Sequence, residues 1–329
     1  MVSVNDRRYL AASIRLGASA LGQTWPNPSV GCLIVRDGKV VGYGKTQPGG
    51  RPHAETEALR DAGDQTKGAV AYVSLEPCNH HGRTPPCTEA LIKAGITSVY
   101  VALRDPDPRV SGTGVARLQD AGMTVHAEPF SDLKQAALKV HRGHIMRMRA
   151  NRPFVTLKLA LSEDGAVGRK DEGQIAVTSY QTNLLMHGLR ARMDAIAVGA
   201  RTMQGDNPRL DVRLPGLEHR SPQRVVFGAE TFNAINMDGK DLSSDLGELA
   251  EEGITSLLVE GGPTLAKSFL AANLVDELIF LKGSTVLGRD SIKPFSFDPF
   301  EVGFEGFTVQ SRRQIGDNQM MILTPWKKA

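Results

Sequence analysis

Short apolar, β-branched runs alternate with amphipathic stretches of helical period along the whole chain, which predicts an α/β fold. A helix is expected over 6–21, ending before Trp25-Pro26-Asn27-Pro28, a segment too proline-rich to continue it. Strands over 30–35 and 40–43 flank Asp37-Gly38, a strong hairpin-turn pair. Helices over 54–62, 86–94 and 114–121 then alternate with strands over 69–74, 98–103 and 124–126. Residues 131–152 read as one helix that turns basic, with Arg142, Arg147, Arg149 and Arg152. That stretch reads as a solvated connecting helix, with a phosphate-binding patch as the alternative. A new strand pattern starts at Phe154, so Arg152-Pro153 marks the expected boundary between a domain over 1–150 and a second over 151–329. In the second half a strand over 154–161 meets the turn Asp164-Gly165, and Thr178-Ser179 opens a helix running to about 192. Strands follow over 195–198, 224–227 and 256–259. The last leads through Glu260-Gly261-Gly262 into a helix over 263–271, and strands over 277–281 and 320–323 complete a sheet.

Composition narrows the class. A chain of 329 residues is long for a single domain, in keeping with that division. A formal charge of +3 and 5% aromatic residues leave no broad nucleic-acid footprint. No apolar run approaches the roughly 18 residues of a membrane span, and the first residues lack the pattern of a signal peptide. Three cysteines do not read as a disulfide framework. The expectation is a reduced, cytoplasmic enzyme.

The chemistry concentrates in His53-Ala54-Glu55 and in the segment from Glu76-Pro77-Cys78 to Pro86-Cys87. One imidazole and two thiols, at His53, Cys78 and Cys87, make three zinc ligands and leave a fourth position for water. Glu55, in the same first helical turn as His53, is placed to move that water's protons, the arrangement needed for hydrolytic deamination of a nucleobase-like ring. The other reading is a closed structural site, with His80 or His81 as fourth ligand. Cys32, inside an apolar run, reads as a small core residue.

Pro26-Asn27-Pro28, Val30-Gly31-Cys32, the run from Gly49 to Glu55 and the segment from Leu75 to Cys87 together resemble one family. It is the family of bifunctional riboflavin-biosynthesis deaminase/reductases, the RibD family. The loop from Asp105 to Gly114 is similar to that family's too. So are Arg152 to Lys158, Leu189-Arg190-Ala191, Asp206-Asn207-Pro208-Arg209-Leu210 and Val259 to Leu265 in its reductase half. The resemblance implies an N-terminal cytidine-deaminase-like three-layer α/β/α domain and a C-terminal dihydrofolate-reductase-like α/β domain. It implies one zinc ion per chain and NADPH as cofactors, and a phosphoribosylated pyrimidine as small-molecule substrate. No nucleic-acid or membrane partner is expected, and a homo-oligomer is.

Position by position, the resemblance implies zinc at His53, Cys78 and Cys87, with Glu55 as proton carrier. Asn27, His80 and Arg83 would contact the deaminase substrate. Lys158, Arg190, Leu210, Arg213 and Glu260 would hold the reductase substrate. Ala160, Thr202, Asp206, Gly262, Pro263, Thr264 and Leu265, in a run reaching Ser268, would hold the cofactor.

Departures from the family pattern fall at Lys45-Thr46-Gln47, where a histidine is common, and in 173–178, where a tryptophan is common. The segment between Val225 and Glu260 is also shorter than usual. These departures define the alternative, a deaminase with a weakened or non-catalytic reductase-like half that senses ligands or acts as a scaffold. A nucleic-acid deaminase would share the zinc site but would need a basic or aromatic docking surface.

Overall fold

The computed structural model describes residues 2–326 apart from 83–84, 108–110, 171 and 174. It divides into two units, Met1–Asn151 and Arg152–Ala329.

In the first unit, helix α1 (Val4–Ala18) starts at a capping box in which Ser3 and Asp6 satisfy each other's backbone amides. Strands β1 (Gly31–Arg36) and β2 (Lys39–Lys45) form the expected hairpin. Its turn takes positive φ at both Asp37 (51°) and Gly38 (73°), the twist a two-residue hairpin needs. With β3 (Val70–Val73), β4 (Ser98–Val101) and β5 (Thr124–Ala127) they build a sheet of order β2-β1-β3-β4-β5, parallel from β3 onward. Helices α2 (Ala54–Ala62), α3 (Cys87–Lys93), α4 (Thr113–Asp120), α5 (Ser131–Val140) and α6 (Arg142–Ala150) complete the unit.

Neighbouring residues of β1 show why there are three layers. A Cβ on Gly31 would lie 2.1 Å from the Ser13 carbonyl oxygen and 2.5 Å from the Gly17 amide nitrogen, so α1 rests directly on the strand. The next residue, Cys32, points to the opposite face and feels the charge of Glu55 on α2. Cys32 is fully buried in the core between these layers, as its apolar setting predicts. Helix α2 is seated just as closely on β2, where a Cβ on Gly44 would meet the Ala54 carbonyl oxygen at 2.4 Å.

One expectation fails here. The single helix over 131–152 is two helices, broken at His141 (φ −93°, ψ 11°). The break lets His141 and His144 both turn inward, where the Nε2 of His144 lies 2.9 Å from Asp105. Nor is the basic stretch simply solvated. Arg147 donates to the Pro26 carbonyl (3.1 Å), and Arg152 makes two hydrogen bonds to Asp276 (2.6 and 2.7 Å).

The second unit is an eight-stranded sheet built on β6 (Phe154–Leu161). A two-residue strand, β7 (Gly168–Arg169), comes next, then helix α7 (Tyr180–Arg190), capped by Ser179 as its sequence predicts. The chain continues through β8 (Ala195–Gly199), α8 (Ala200–Asp206), β9 (Gln223–Phe227), β10 (Ile235–Met237), α9 (Leu242–Glu251), β11 (Ser256–Val259) and α10 (Pro263–Ala271). It ends with β12 (Glu277–Lys282), the short β13 (Ser291–Ile292), α11 (Pro299–Val302), β14 (Phe307–Ile315) and β15 (Asn318–Pro325). The order is β10-β9-β8-β11-β6-β12-β15-β14, parallel from β10 to β12 and antiparallel at β15 and β14; β7 and β13 pair separately. Strands buried on both faces explain the unbroken apolar runs at β8 and β11. The chain leaves β6 for β8 on one side and later places β12 on the other, so the carboxyl ends of these strands face a topological switch point. Helices α8, α9 and α11 and strands β7, β10, β13 and β14 were not among the sequence expectations.

Candidate active sites

His53 is the N-cap of α2 and Glu55 sits in its first turn. The chain arrives through Gly49 and Gly50, both at positive φ (73° and 84°). Gly50 lies so close to Asn27 that a Cβ would meet its side chain at 2.7 Å. The Asn27 amide donates to the Gly50 carbonyl (2.8 Å), so Asn27 fixes the approach to His53. Cys78 leaves the sheet after β3, and Cys87 is the first residue of α3, behind Pro86. The Cys87 amide donates to the Cys78 sulfur at 3.4 Å.

Nδ1 of His53 is 3.7 Å from Sγ of Cys78 and 3.4 Å from Sγ of Cys87. Tetrahedral zinc with bonds of about 2.0–2.3 Å holds nitrogen and sulfur ligands roughly 3.6 Å apart, so the donor set fits that ion in kind and spacing. The three ligand atoms all lie within 4.8 Å of one another and form the only such group among the described residues. His80 and His81 are exposed and do not join it, which removes the closed-site reading at those two positions. Hydrogen bonding from Cys87, then from His53, lowers the Cys78 thiol to about 4, whereas Cys87, bonded to that thiolate and more deeply buried, is pushed up. Burial, reinforced by the charge at Cys78, raises the Glu55 carboxyl to about 7.

A second ring of residues holds this cluster. Asn79 accepts from the Thr88 hydroxyl (3.0 Å) and donates to the Thr113 carbonyl (3.3 Å). Buried Glu76 accepts from the amides of Asp105 (3.2 Å), Gly112 (3.1 Å) and Val115 (3.0 Å). Its place just before Pro77-Cys78 gave no sign of that role. Arg83 lies outside the described residues, and His80 is exposed on the same loop. Within Lys45-Thr46-Gln47, Thr46 bonds the Pro28 carbonyl (3.0 Å) and the Val30 amide (3.0 Å), tying the end of β2 to the segment that carries Asn27.

The second unit has a cleft of about 1090 Å³ at the carboxyl ends of β6, β8 and β11. Lys158, Ala160, Arg190, Thr202, Asp206, Leu210, Arg213, Glu260 and the run Gly262-Pro263-Thr264-Leu265 all line it, as does Ser268. At its floor Glu260 accepts from Nε (2.8 Å) and Nη2 (2.9 Å) of Arg190 and lies 3.7 Å from Lys158. Burial alone would raise this carboxyl; Lys158 and Arg190 outweigh it and hold it at about 2. Arg190 also donates to the Asp211 carbonyl (3.2 Å), and Arg213 bonds the Asp211 carboxylate (2.8 Å). His187, one helical turn before Arg190, accepts from the Arg213 amide at Nδ1 (3.3 Å). Burial, then Arg190 and Arg213, lower its pKa, which favours the neutral ring.

The opposite wall of the cleft is a glycine cradle. A Cβ on Gly261 would meet the Leu265 side chain at 2.8 Å, and the Gly262 amide donates to the Thr202 hydroxyl (3.3 Å). Gly261, Gly262 and Thr264, at the start of α10, line the cleft, the end of a helix at which a phosphate is favoured. The segment between Val225 and Glu260 supplies wall through Phe227, Gly228, Asp238, Gly239 and Leu242. Val177 and Thr178, in the stretch without tryptophan, line the cleft too. His187, Arg201 and Asp238 were missed because each comes from a different element, with no motif joining them.

Comparison with known proteins finds a match for each unit. The family description of the cytidine and deoxycytidylate deaminase zinc-binding region matches residues 3–103, and that of the RibD C-terminal domain matches residues 153–313. The riboflavin biosynthesis protein RibD of Escherichia coli (strain K12) is 37% identical over 334 residues, covering 88% of this chain and 90% of that protein. A solved structure of Acinetobacter baumannii RibD aligns with a TM-score of 0.88 at 32% identity, over 98% of this chain and 99% of that one. A diaminohydroxyphosphoribosylaminopyrimidine deaminase/5-amino-6-(5-phosphoribosylamino)uracil reductase from Thermotoga maritima aligns at 0.85 and 28% identity, over 98% and 99%.

Proposed function

The chain belongs to the RibD family of bifunctional riboflavin-biosynthesis enzymes, and from that premise we propose how its residues divide two consecutive reactions. The first unit hydrolyses the amino group from 2,5-diamino-6-(5-phosphoribosylamino)pyrimidin-4-one. The second reduces the ribosyl group of 5-amino-6-(5-phosphoribosylamino)uracil to ribityl. The observation that carries this reading is the three-ligand group with a buried carboxyl two residues from its histidine.

His53, Cys78 and Cys87 hold zinc, which when bound supplies the Lewis acidity that makes water nucleophilic near neutral pH. Glu55 takes the water's proton at a carboxylate oxygen, returns it to the ring nitrogen and then serves the departing ammonia. Asn27, placed beside Gly50, and His80 face the pyrimidine, and Arg83 belongs to the same substrate-contact proposal.

In the second unit Lys158, Arg190 and Arg213 gather the phosphoribosyl group, with Glu260 holding the first two in place and Leu210 packing beside it. NADPH, when bound, supplies the hydride. Ala160, Thr202, Asp206 and the run from Gly262 to Leu265 hold it against the substrate. No observation favours a weakened reductase half, because every cleft residue implied by the resemblance lines one continuous cavity.

No described helix is long and apolar enough to cross a membrane. Action in the cytoplasm, as a homo-oligomer, completes the proposal, and light scattering tests the assembly. The reactions are tested by incubating the protein with the diaminopyrimidine phosphoriboside, with and without NADPH, and following product mass. A deaminated product alone is expected without NADPH, and a deaminated and reduced product with it. Deamination alone under both conditions would remove the reductase assignment and leave the zinc site standing.

A further inference from the structure

Five side-chain cations line the cleft of the second unit: Lys158, Arg169, Arg190, Arg201 and Arg213. Four are already engaged by charge or carbonyl. Lys158 and Arg190 face Glu260, Arg213 bonds Asp211, and Arg169 bonds Glu172 and the Leu287 carbonyl. Arg201 is different. Among the described residues no carboxylate comes within ion-pair distance of it. Its one hydrogen bond runs from Nη2 to the Thr264 hydroxyl (2.9 Å). The carboxylates nearest in role, Asp206 and Asp238, also line the cleft, but Asp238 is paired with Lys240.

A hydroxyl tether orients a guanidinium without neutralising it. Arg201 thus keeps its full charge and four of its five N–H donors while it is held across the first turn of α10. The next residue, Thr202, reaches the same turn by accepting from the Gly262 amide. Two adjacent side chains of α8 therefore reach the start of α10 beside Gly261-Gly262, and Arg201 carries an uncompensated positive charge. Such a fork, exposed at the edge of the cleft, matches the oxygens of a phosphate monoester or diphosphate, and a neutral or cationic ligand would gain nothing from it.

We propose that Arg201 recognises a phosphate of the dinucleotide cofactor and so helps determine which cofactor this cleft takes. The inference rests on the NADPH-dependent reductase reading. The phosphate is either the bridging diphosphate or the 2′-phosphate on the adenosine ribose, and the two are separable.

Full-length wild type, R201A and R201K would be titrated with NADPH and with NADH, without substrate, following nicotinamide fluorescence. Melting curves recorded alongside would show that the exposed substitution leaves the fold intact. R201A is expected to weaken NADPH binding roughly tenfold, the scale of one lost charge-assisted contact, and R201K to recover part of the loss because it keeps the charge without the fork. An equal loss for NADH assigns the contact to the bridging diphosphate. A loss confined to NADPH assigns it to the 2′-phosphate. Unchanged NADPH affinity in R201A overturns the inference while the reductase reading survives, whereas a wild type that binds neither dinucleotide overturns both.

Discussion

Glu55 is a buried residue and Glu260 a half-buried one with its side chain largely covered, and their surroundings push the two carboxyls in opposite directions. At Glu55 burial and a neighbouring thiolate favour the proton, which suits a residue that hands protons on. Glu55→Gln keeps the shape and removes the base. Deamination should fall by at least about a hundredfold, the usual scale of general acid–base catalysis, while bound zinc stays near one per chain by atomic emission. Loss of the metal along with the activity would instead make Glu55 structural. At Glu260 two cations favour the charged form. A carboxyl depressed from about 4.5 to about 2 stabilises the fold fully above its ordinary pKa, and that contribution is lost as pH falls through the lower value. Glu260→Gln should therefore cost roughly 3 kcal/mol at neutral pH, partly because it leaves Lys158 and Arg190 facing no charge. Urea unfolding should show the gap between variant and wild type closing as pH drops from 4.5 toward 2. A gap independent of pH would refute the assignment.

Among the elements, α2 matters most to the metal, because its first turn carries both His53 and Glu55. Gly44→Ala would drive a Cβ into the backbone of α2 at Ala54 (2.4 Å) and Ala58 (2.5 Å). Stability should drop by about 1–3 kcal/mol, the usual cost of overpacking, and zinc affinity should drop with it. Gly31→Ala makes an equally hard collision with α1 on the other face, so a similar loss in urea unfolding is expected with zinc affinity largely kept. Equal loss of zinc in both variants would show that α2 does not set the site.

The same elements show what the sequence disclosed. Helix α2 was legible to the residue, since a cap at His53 and glycines before it leave no other start. The grouping of His53, Cys78 and Cys87 was legible because few residue types can do metal-binding chemistry. Helix α9 was missed although Leu242, Leu246 and Leu249 recur at helical spacing and Asp241 caps it, because the surrounding segment stood out only by its shortness. Strand β14 was missed for a physical reason. It is an edge strand held only by β15 and mostly exposed on both faces, so no period of two marks it. The break at His141 turns His144 toward Asp105, a partner distant in sequence.

At the scale of the whole molecule, the metal group lies wholly in one unit and the cleft wholly in the other. Exhaustive chelation should abolish deamination yet leave NADPH titration and reduction of already deaminated substrate unchanged. Parallel loss of both would tie the cofactor cleft to the metal. The sheet order of the second unit bears on how the chain is made. In the sheet order of the described residues, strand β6 lies between β11 and β12, and both come much later in the chain. On the ribosome, the first unit can complete its sheet while that apolar strand still waits, unpaired, for residues 256–282 to emerge. The interval is the period when a nascent chain most needs shielding from aggregation, and any early stop before β11 would leave a finished metal site attached to a sheet without its centre.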